Sequence, residues 1–256
     1  MKNKLTLVKV GGQIVEEPET LKQLLNDFSN LEGHKVLVHG GGRAATRIAG
    51  QLGIESKMVN GRRVTDADML QVVTMVYGGL VNKQIVAGLQ ALNVNALGLT
   101  GADMNYMRSE KRPVKEVDYG FVGDVKEVNA DILASLIAEG VVPVLAPLTH
   151  DKQGNLLNTN ADTIAGEAAK ALAQYFDVTL MFCFEKKGVL RNPDDENSVI
   201  PEITKPAFDA FVADGTIQGG MIPKLENAFE AIAAGVKQVI ISKADEIGKG
   251  TGTVVK

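Results

Sequence analysis

Long apolar runs, paired cysteines and an excess of positive charge are all missing from this 256-residue chain, and each absence closes off a class of protein. The single cysteine, Cys183, excludes an internal disulfide and fits a reducing, cytoplasmic compartment. Set in the apolar run 178–184, it reads as a buried structural thiol. Lys and Arg number 27 against 31 Asp and Glu, a formal charge of -4, and the pI is near 5.5. That balance argues against a nucleic-acid partner, since such binders carry a basic surface. The pairs Arg62-Arg63, Lys111-Arg112 and Lys186-Lys187 still allow local phosphate contacts. No stretch reads as the roughly 20 apolar residues of a membrane span. Met1-Lys2-Asn3-Lys4 runs straight into a strand-like segment, with no apolar signal region before it.

The usual nucleotide fingerprints are missing too. There is no Walker A pattern and no Gly-x-Gly-x-x-Gly. There is also no Gly-x-Ser-x-Gly elbow to make the run His39-Gly40-Gly41-Gly42 a hydrolase oxyanion hole. What is present is alternation. Segments 5–10, 36–39, 94–99, 141–145, 178–184 and 239–242 are short, rich in Val, Ile and Leu, and read as buried strands. Amphipathic stretches at 19–31, 44–52, 66–92, 130–139, 161–176, 206–214 and 221–234 separate or follow them. The pattern predicts an α/β fold, a three-layer αβα sandwich around a mainly parallel sheet. Residues 103–125 and 147–157 interrupt it as hairpins, the second around the turn cluster Asp151-Lys152-Gln153-Gly154-Asn155. No repeat or long linker occurs, so 1–256 reads as one domain whose lobes meet near residue 175 in a packed junction.

Four positions invite chemistry. Lys9-Val10-Gly11-Gly12 ends the first strand, where α/β sheets place their ligands; the lysine either meets an anion there or is solvated at a plain turn. The three glycines after His39 open a helix, either as an anion-binding nest or as an ordinary turn. In Asn158-Thr159-Asn160-Ala161-Asp162, Asn160 either caps the following helix or turns its amide into a site. Gly219-Gly220-Met221-Ile222-Pro223-Lys224 puts a lysine in the early turns of a helix, where the dipole disfavours it unless it serves an anion. Two lysines, two glycine nests and one aspartate together supply what phosphoryl transfer demands: positioning and neutralisation of spreading negative charge.

The motifs Lys9-x-Gly-Gly, His39-Gly-Gly-Gly, Asn60-Gly-x-Arg63-Val-Thr65, Asn158-x-Asn-Ala-Asp162 and Gly220-Met221-x-x-Lys224 span essentially the whole chain. In this order and spacing they resemble the amino acid kinase family, and within it the branch that phosphorylates N-acetylglutamate. The resemblance implies the amino acid kinase fold. Residues 1–175 would bind the acyl-amino acid and dimerise, and residues 176–256 would bind ATP. It also implies ATP-dependent phosphorylation of the γ-carboxylate of N-acetyl-L-glutamate, or of another N-acyl-glutamate such as N-succinyl.

Residue by residue, Lys9 and Lys224 would stabilise the phosphoryl group in flight and Asp162 would organise both. Amides at Gly11, Gly12, Gly41 and Gly42 would bind phosphoryl oxygens and the reacting end of the substrate. Arg63 would pair with the α-carboxylate, and Asn158 and Asn160 would hold the acyl-amino acid. The nucleotide would lie over Glu185, Lys186, Lys187, Gly188, Val189, Leu190, Thr216, Ile217 and Gln218. Mg²⁺ would be held mainly by ATP, with no protein ligand set.

The chain departs from the family at Glu185-Lys186-Lys187-Gly188, where relatives usually carry Asp-Val-x-Gly, and in a shorter C-terminal end. Its first strand leaves no room for the N-terminal helix of arginine-inhibited hexamers, so a homodimer insensitive to arginine is expected. A succinyl substrate would want a further cation from Arg62, Arg108, Lys111 or Arg112, each of which also reads as solvated surface charge. The competing readings are a carbamate, aspartate or uridylate kinase of the same fold, and a non-catalytic nucleotide or amino-acid sensor.

Overall fold

The computed structural model describes residues 2–59 and 61–256. Among them, fourteen strands are β1 (Asn3–Val10), β2 (His34–His39), β3 (Met58–Val59), β4 (Arg62–Arg63), β5 (Ala96–Leu99), β6 (Met107–Lys111), β7 (Gly123–Val128), β8 (Val142–Leu145), β9 (Leu148–His150), β10 (Leu156–Asn158), β11 (Phe176–Phe184), β12 (Glu202–Ile203), β13 (Gln238–Lys243) and β14 (Thr253–Val255). Eight of them form one sheet in the order β12-β14-β13-β11-β1-β2-β8-β5. Every pairing in it is parallel except β13 with β14.

Because side chains alternate along a strand, β1 feeds both faces of this sheet. Leu5 and Leu7 join one buried cluster, together with Val36 and Val38 of β2. Val8 and Val10 join another, with Leu37. The first cluster is closed by α6 (Ala130–Ala138), α7 (Ala161–Leu172) and α9 (Met221–Ala233), through residues such as Leu133, Ile164 and Leu225. The second is closed by α2 (Pro18–Ser29), α3 (Gly42–Gln51) and a long helical stretch that begins with α4 (Ala67–Val73) and ends with α5 (Asn82–Ala91). Two apolar faces with a layer of helices on each give the sandwich expected from the alternation. On α7 the sheet-facing residues Ala165, Ala168 and Ala169 are fully buried and small, which lets this helix lie close on β1 and carry its N-terminus to the strand ends.

Three features differ from the sequence reading. The stretch 66–92 is not one regular helix, because Thr74–Val81 winds as a π-helix between α4 and α5. Taken whole, Ala67–Ala91 is also long and apolar enough to cross a membrane by length and composition. The sequence reading missed this because Gly78-Gly79 and Asn82-Lys83 break its apolar runs. Its side chains Met69, Val72, Ile85 and Leu89 are buried in the second cluster, which makes it a core helix of this fold. Finally, the two expected hairpins do form, β6 with β7 and β9 with β10. They also join through Arg108 and His150 into one four-stranded sheet, β10-β9-β6-β7, which roofs the carboxyl end of the main sheet.

Candidate active site

Strand parity decides where Lys9 points. It shares its face with Leu5 and Leu7, the face covered by α7, and α7 brings Asp162 in its first turn. The Lys9 ammonium stands 2.7 Å from Asp162 Oδ1, with the lysine side chain only 9% exposed and the aspartate 33%. A lysine this buried is tolerable only with such a partner. Asn160 settles the local geometry. Its side-chain oxygen accepts from the amides of Asp162 at 2.7 Å and Thr163 at 3.2 Å, so the capping role is real, and the residue also faces the cavity described below.

Lys224, one turn into α9, reaches the same place from the far lobe. Its ammonium lies 3.9 Å from the centroid of the Phe184 ring, and that of Lys9 lies 5.5 Å from the same ring. Burial holds Lys224 below the ordinary lysine range; Asp162 pulls it back up and the like charge of Lys9 pushes it down. The three groups singled out in the sequence therefore share one cleft.

The glycine turns close that cleft from the side. β1 and β2 end in register, Val10 beside His39, and the Gly40 amide donates to the Val10 carbonyl at 2.9 Å. The two turns interleave so tightly that a Cβ on Gly40 would stand 2.9 Å from the Gly12 nitrogen, and one on Gly12 would stand 3.2 Å from the nitrogens of Gly41 and Gly42. A side chain at Gly40 would clash with backbone, and one at Gly12 would press on it. α1 (Gly12–Glu16) and α3 start at these turns, so free amides face the space between them.

His39 itself points to the opposite face and is fully buried. Burial pushes its imidazole down to about 4. Nδ1–H donates to the Gly40 carbonyl at 2.7 Å, and Nε2 accepts from the Asn82 amide at 3.1 Å. It is a neutral clamp on the glycine turn.

The residues expected to hold the acyl-amino acid converge as well. A cavity of about 200 Å³ is lined by Gly41, Gly42, Arg63, Asn158 and Asn160. Arg63 is buried, donating to the Gly42 carbonyl at 2.8 Å, to Thr46 Oγ1 at 2.9 Å and to Ser56 Oγ. The Asn158 amide donates to Thr65 Oγ1 at 2.9 Å. Asn60, which opens the motif containing Arg63, lies outside the described residues. Arg62 and Arg112 also line this cavity, although Arg112 is paired with Asp124 at 2.5 Å. Arg108 is held by Glu127 at 3.0 Å, and Lys111 sits over Phe121; neither is at the cavity wall.

A cavity of about 630 Å³ shares Gly42, Met58 and Arg63 with this one and runs from Gly11 and Gly12 to Glu185, Lys186, Gly188 and Lys224. It adjoins a second one of about 300 Å³ lined by Val189, Leu190, Thr216, Ile217 and Gln218, with Lys186 and Gly188 common to both. Lys187 lines neither. Among the described residues no group of three His, Cys, Asp or Glu side chains is placed to hold a metal ion. Cys183, on the second-cluster face, is buried and its thiol is pushed up to about 12 by that burial.

Sequence reasoning passed over Phe184 and Tyr77. The Tyr77 ring comes from the π segment and packs against Gly41, and burial raises its hydroxyl against the nearby Arg63 charge. For Phe184 a signal existed, since it has the same strand parity as Phe182 and lies on the Lys9 side of β11.

A lysine–aspartate pair with a second lysine close by, set beside glycine turns at the ends of adjacent parallel strands, makes a place for an anion that is built without a Walker loop. The profile of the Amino acid kinase family matches residues 4–243, and the chain belongs to that family, as an ATP-using kinase. It is 78% identical to the acetylglutamate kinase of Parabacteroides distasonis over 98% of this chain and 99% of that protein. It is 73% identical to the acetylglutamate kinase of Bacteroides thetaiotaomicron over the full length of both. Among solved structures, smu.665 from Streptococcus mutans UA159 superposes with a TM-score of 0.79 at 31% identity, covering 98% of each chain.

Proposed function

We propose that this kinase transfers the γ-phosphoryl group of ATP to the γ-carboxylate of N-acetyl-L-glutamate, forming an acyl phosphate in arginine biosynthesis. The reading is carried by one observation. Lys224, with the Asp162–Lys9 pair beside it across the Phe184 ring, stands on the wall of a large cavity that shares Gly42 and Arg63 with the smaller cavity of Gly41 and Asn158. A glutamate γ-carboxylate has a pKa of about 4.3 and is an ionised nucleophile at neutral pH, so no general base is needed. The obstacle is repulsion between two anions, which two ammonium groups and the free amides of the glycine turns offset. Mg²⁺, carried on the nucleotide phosphates, would add positive charge there.

In this reading residues 1–175 hold the acyl-amino acid and residues 176–256 the nucleotide, within one domain in the cytoplasm. The molecule is a homodimer. The outermost strand β5 exposes Leu97, and the long helix exposes Met75 and Leu80, an apolar edge that a second copy would cover. Light scattering is expected to give twice the chain mass, unchanged by arginine; a monomer or a hexamer would contradict it.

The deciding experiment is ADP release from ATP, with hydroxylamine trapping of any acyl phosphate, over a panel of acceptors: N-acetyl-glutamate, N-succinyl-glutamate, aspartate, carbamate and uridylate. Turnover confined to N-acyl-glutamates is expected, and turnover with any other acceptor alone would sink the assignment. The ratio of kcat/KM for the two acyl-glutamates settles the acyl group, since Arg62 and Arg112 at the cavity wall offer cations to a succinyl carboxylate.

Arg63→Lys is expected to raise the acceptor KM by roughly 10- to 100-fold with kcat within a few-fold, because a point charge cannot replace a planar, two-pronged donor. An unchanged KM would remove Arg63 from the substrate site. The lowered pKa of Lys224 sets a pH expectation. In the free enzyme the needed proton is lost below the ordinary lysine value of about 10.4, so kcat/KM for ATP falls at a lower pH than kcat, whose proton is held by bound phosphates. Superimposable profiles for the two parameters would count against the lysine.

A further inference from the structure

Lys224 is a half-buried cation without a carboxylate of its own. Asp162 is spent on Lys9 at 2.7 Å, and among the described residues no acid lies within ion-pair distance of the Lys224 ammonium. What it touches is the face of Phe184, 3.9 Å from the ring centroid, with Lys9 over the same ring at 5.5 Å. The ring is itself braced by Phe182, stacked on it at 6.1 Å and 12°. It also forms the wall between the large cleft and a cavity of about 150 Å³ between α7 and α9.

We propose that Phe184 is a positioning residue for phosphoryl transfer, its π face holding the Lys224 ammonium, and more weakly that of Lys9, in the orientation the transferring group meets. This rests on the kinase reading above and adds to it how the site stays charged. A second carboxylate would hold Lys224 more firmly, but it would cancel the positive charge that the phosphoryl oxygens need and would repel the incoming nucleotide. An aromatic face attracts a cation through its quadrupole while carrying no net charge. The two lysines and Asp162 are thus left with one net positive charge, held in place but available. On β11 the ring reaches the lysines because residue 184 follows Phe182 by two positions, and Phe182 is the register partner of Lys9 across β1 and β11.

The test grades the ring instead of removing it. Phe184 is replaced by Tyr, by Leu, and by mono-, di- and trifluorophenylalanine introduced by nonsense suppression. Steady-state kinetics with ATP and N-acetyl-glutamate are measured for each, and ATP affinity by calorimetry without acceptor. Phe184→Leu is expected to lower kcat about ten-fold with the acceptor KM within about two-fold, while Phe184→Tyr stays near wild type.

Along the fluorinated series log kcat falls stepwise as the ring face loses its attraction for cations, and ATP affinity weakens in the same order. Fluorine hardly changes the size of the ring, so a role as mere wall would leave both flat, and flat series would overturn the proposal even if the leucine variant fails to fold. The wild-type rate separates the failures. No wild-type turnover of N-acetyl-glutamate sinks the substrate assignment and leaves ATP affinity to judge the ring; normal turnover with flat series sinks the ring alone.

Discussion

Replacing Lys224 with alanine lowers kcat by about 10²- to 10⁴-fold while the acceptor KM stays within several-fold. The size follows from where the charge is needed. A phosphoryl group in flight spreads negative charge over its equatorial oxygens, and in a cleft shielded from water a fixed ammonium there counts for far more than in solution. The KM stays because Lys224 lines the large cleft alone, whereas Asn158 and Asn160 line only the smaller cavity and Arg63 spans both; it belongs to the transition state more than to acceptor binding.

Stability gives an independent check. Among the described residues Lys224 forms no ion pair to lose; it is partly desolvated, and sits in the early turns of α9, where the helix dipole opposes a positive charge. Lys224→Ala is therefore expected to melt no lower than the wild type, and by the dipole alone slightly higher. A variant with near-normal turnover would refute the catalytic role, and one that melts much lower would recast the residue as structural.

How much of this was legible in the sequence differs by residue. Lys9 was, because a charged residue closing a buried strand needs a reason, and period-two alternation fixes the face it takes. Lys224 was, because it stands at the wrong end of a helix for its sign. The α/β sandwich followed from the length and order of apolar segments. The convergence of Lys9, Asp162 and Lys224 in one cleft was not contained in any local pattern, since the residues lie on β1, α7 and α9; only the resemblance of the ordered motifs linked them.

The joining of two hairpins into one sheet was invisible for the same reason. Arg108 pairs with His150, 42 positions further along the chain, and parallel pairing leaves no turn signature. Phe184 was passed over because an aromatic residue closing an apolar run looks like core. Its contact with two ammonium groups depends on β11 lying beside β1 in a particular register. The π-helical Thr74–Val81 has the same apolar periodicity as an α-helix over so short a span, so the turn that presents Tyr77 to Gly41 left no mark in the sequence.

Asp162→Asn should damage the enzyme in a different way, losing about 100-fold or more in kcat while binding ATP at least as well as the wild type. The amide keeps the shape, and the α7 cap survives because Asn160 bonds the backbone nitrogens of residues 162 and 163. What disappears is the countercharge. Lys9, 9% exposed, loses the carboxylate at 2.7 Å and is left sharing the Phe184 ring with Lys224. Leaving a buried cation unpaired costs several kcal/mol in a dry interior; with the Asp162 side chain a third exposed, solvent reduces this to about 1–3 kcal/mol.

Nucleotide phosphates can then serve as the missing anion. Saturating Mg–ATP should therefore raise the melting temperature of Asp162→Asn more than that of the wild type, closing much of the gap between them. The kcat remains low because the lysines, now held by the phosphates instead of by Asp162, follow the ground state and are no longer fixed for the transition state. Equal thermal shifts on adding nucleotide, or an undiminished kcat, would show that Asp162 does not keep the two ammonium groups in place.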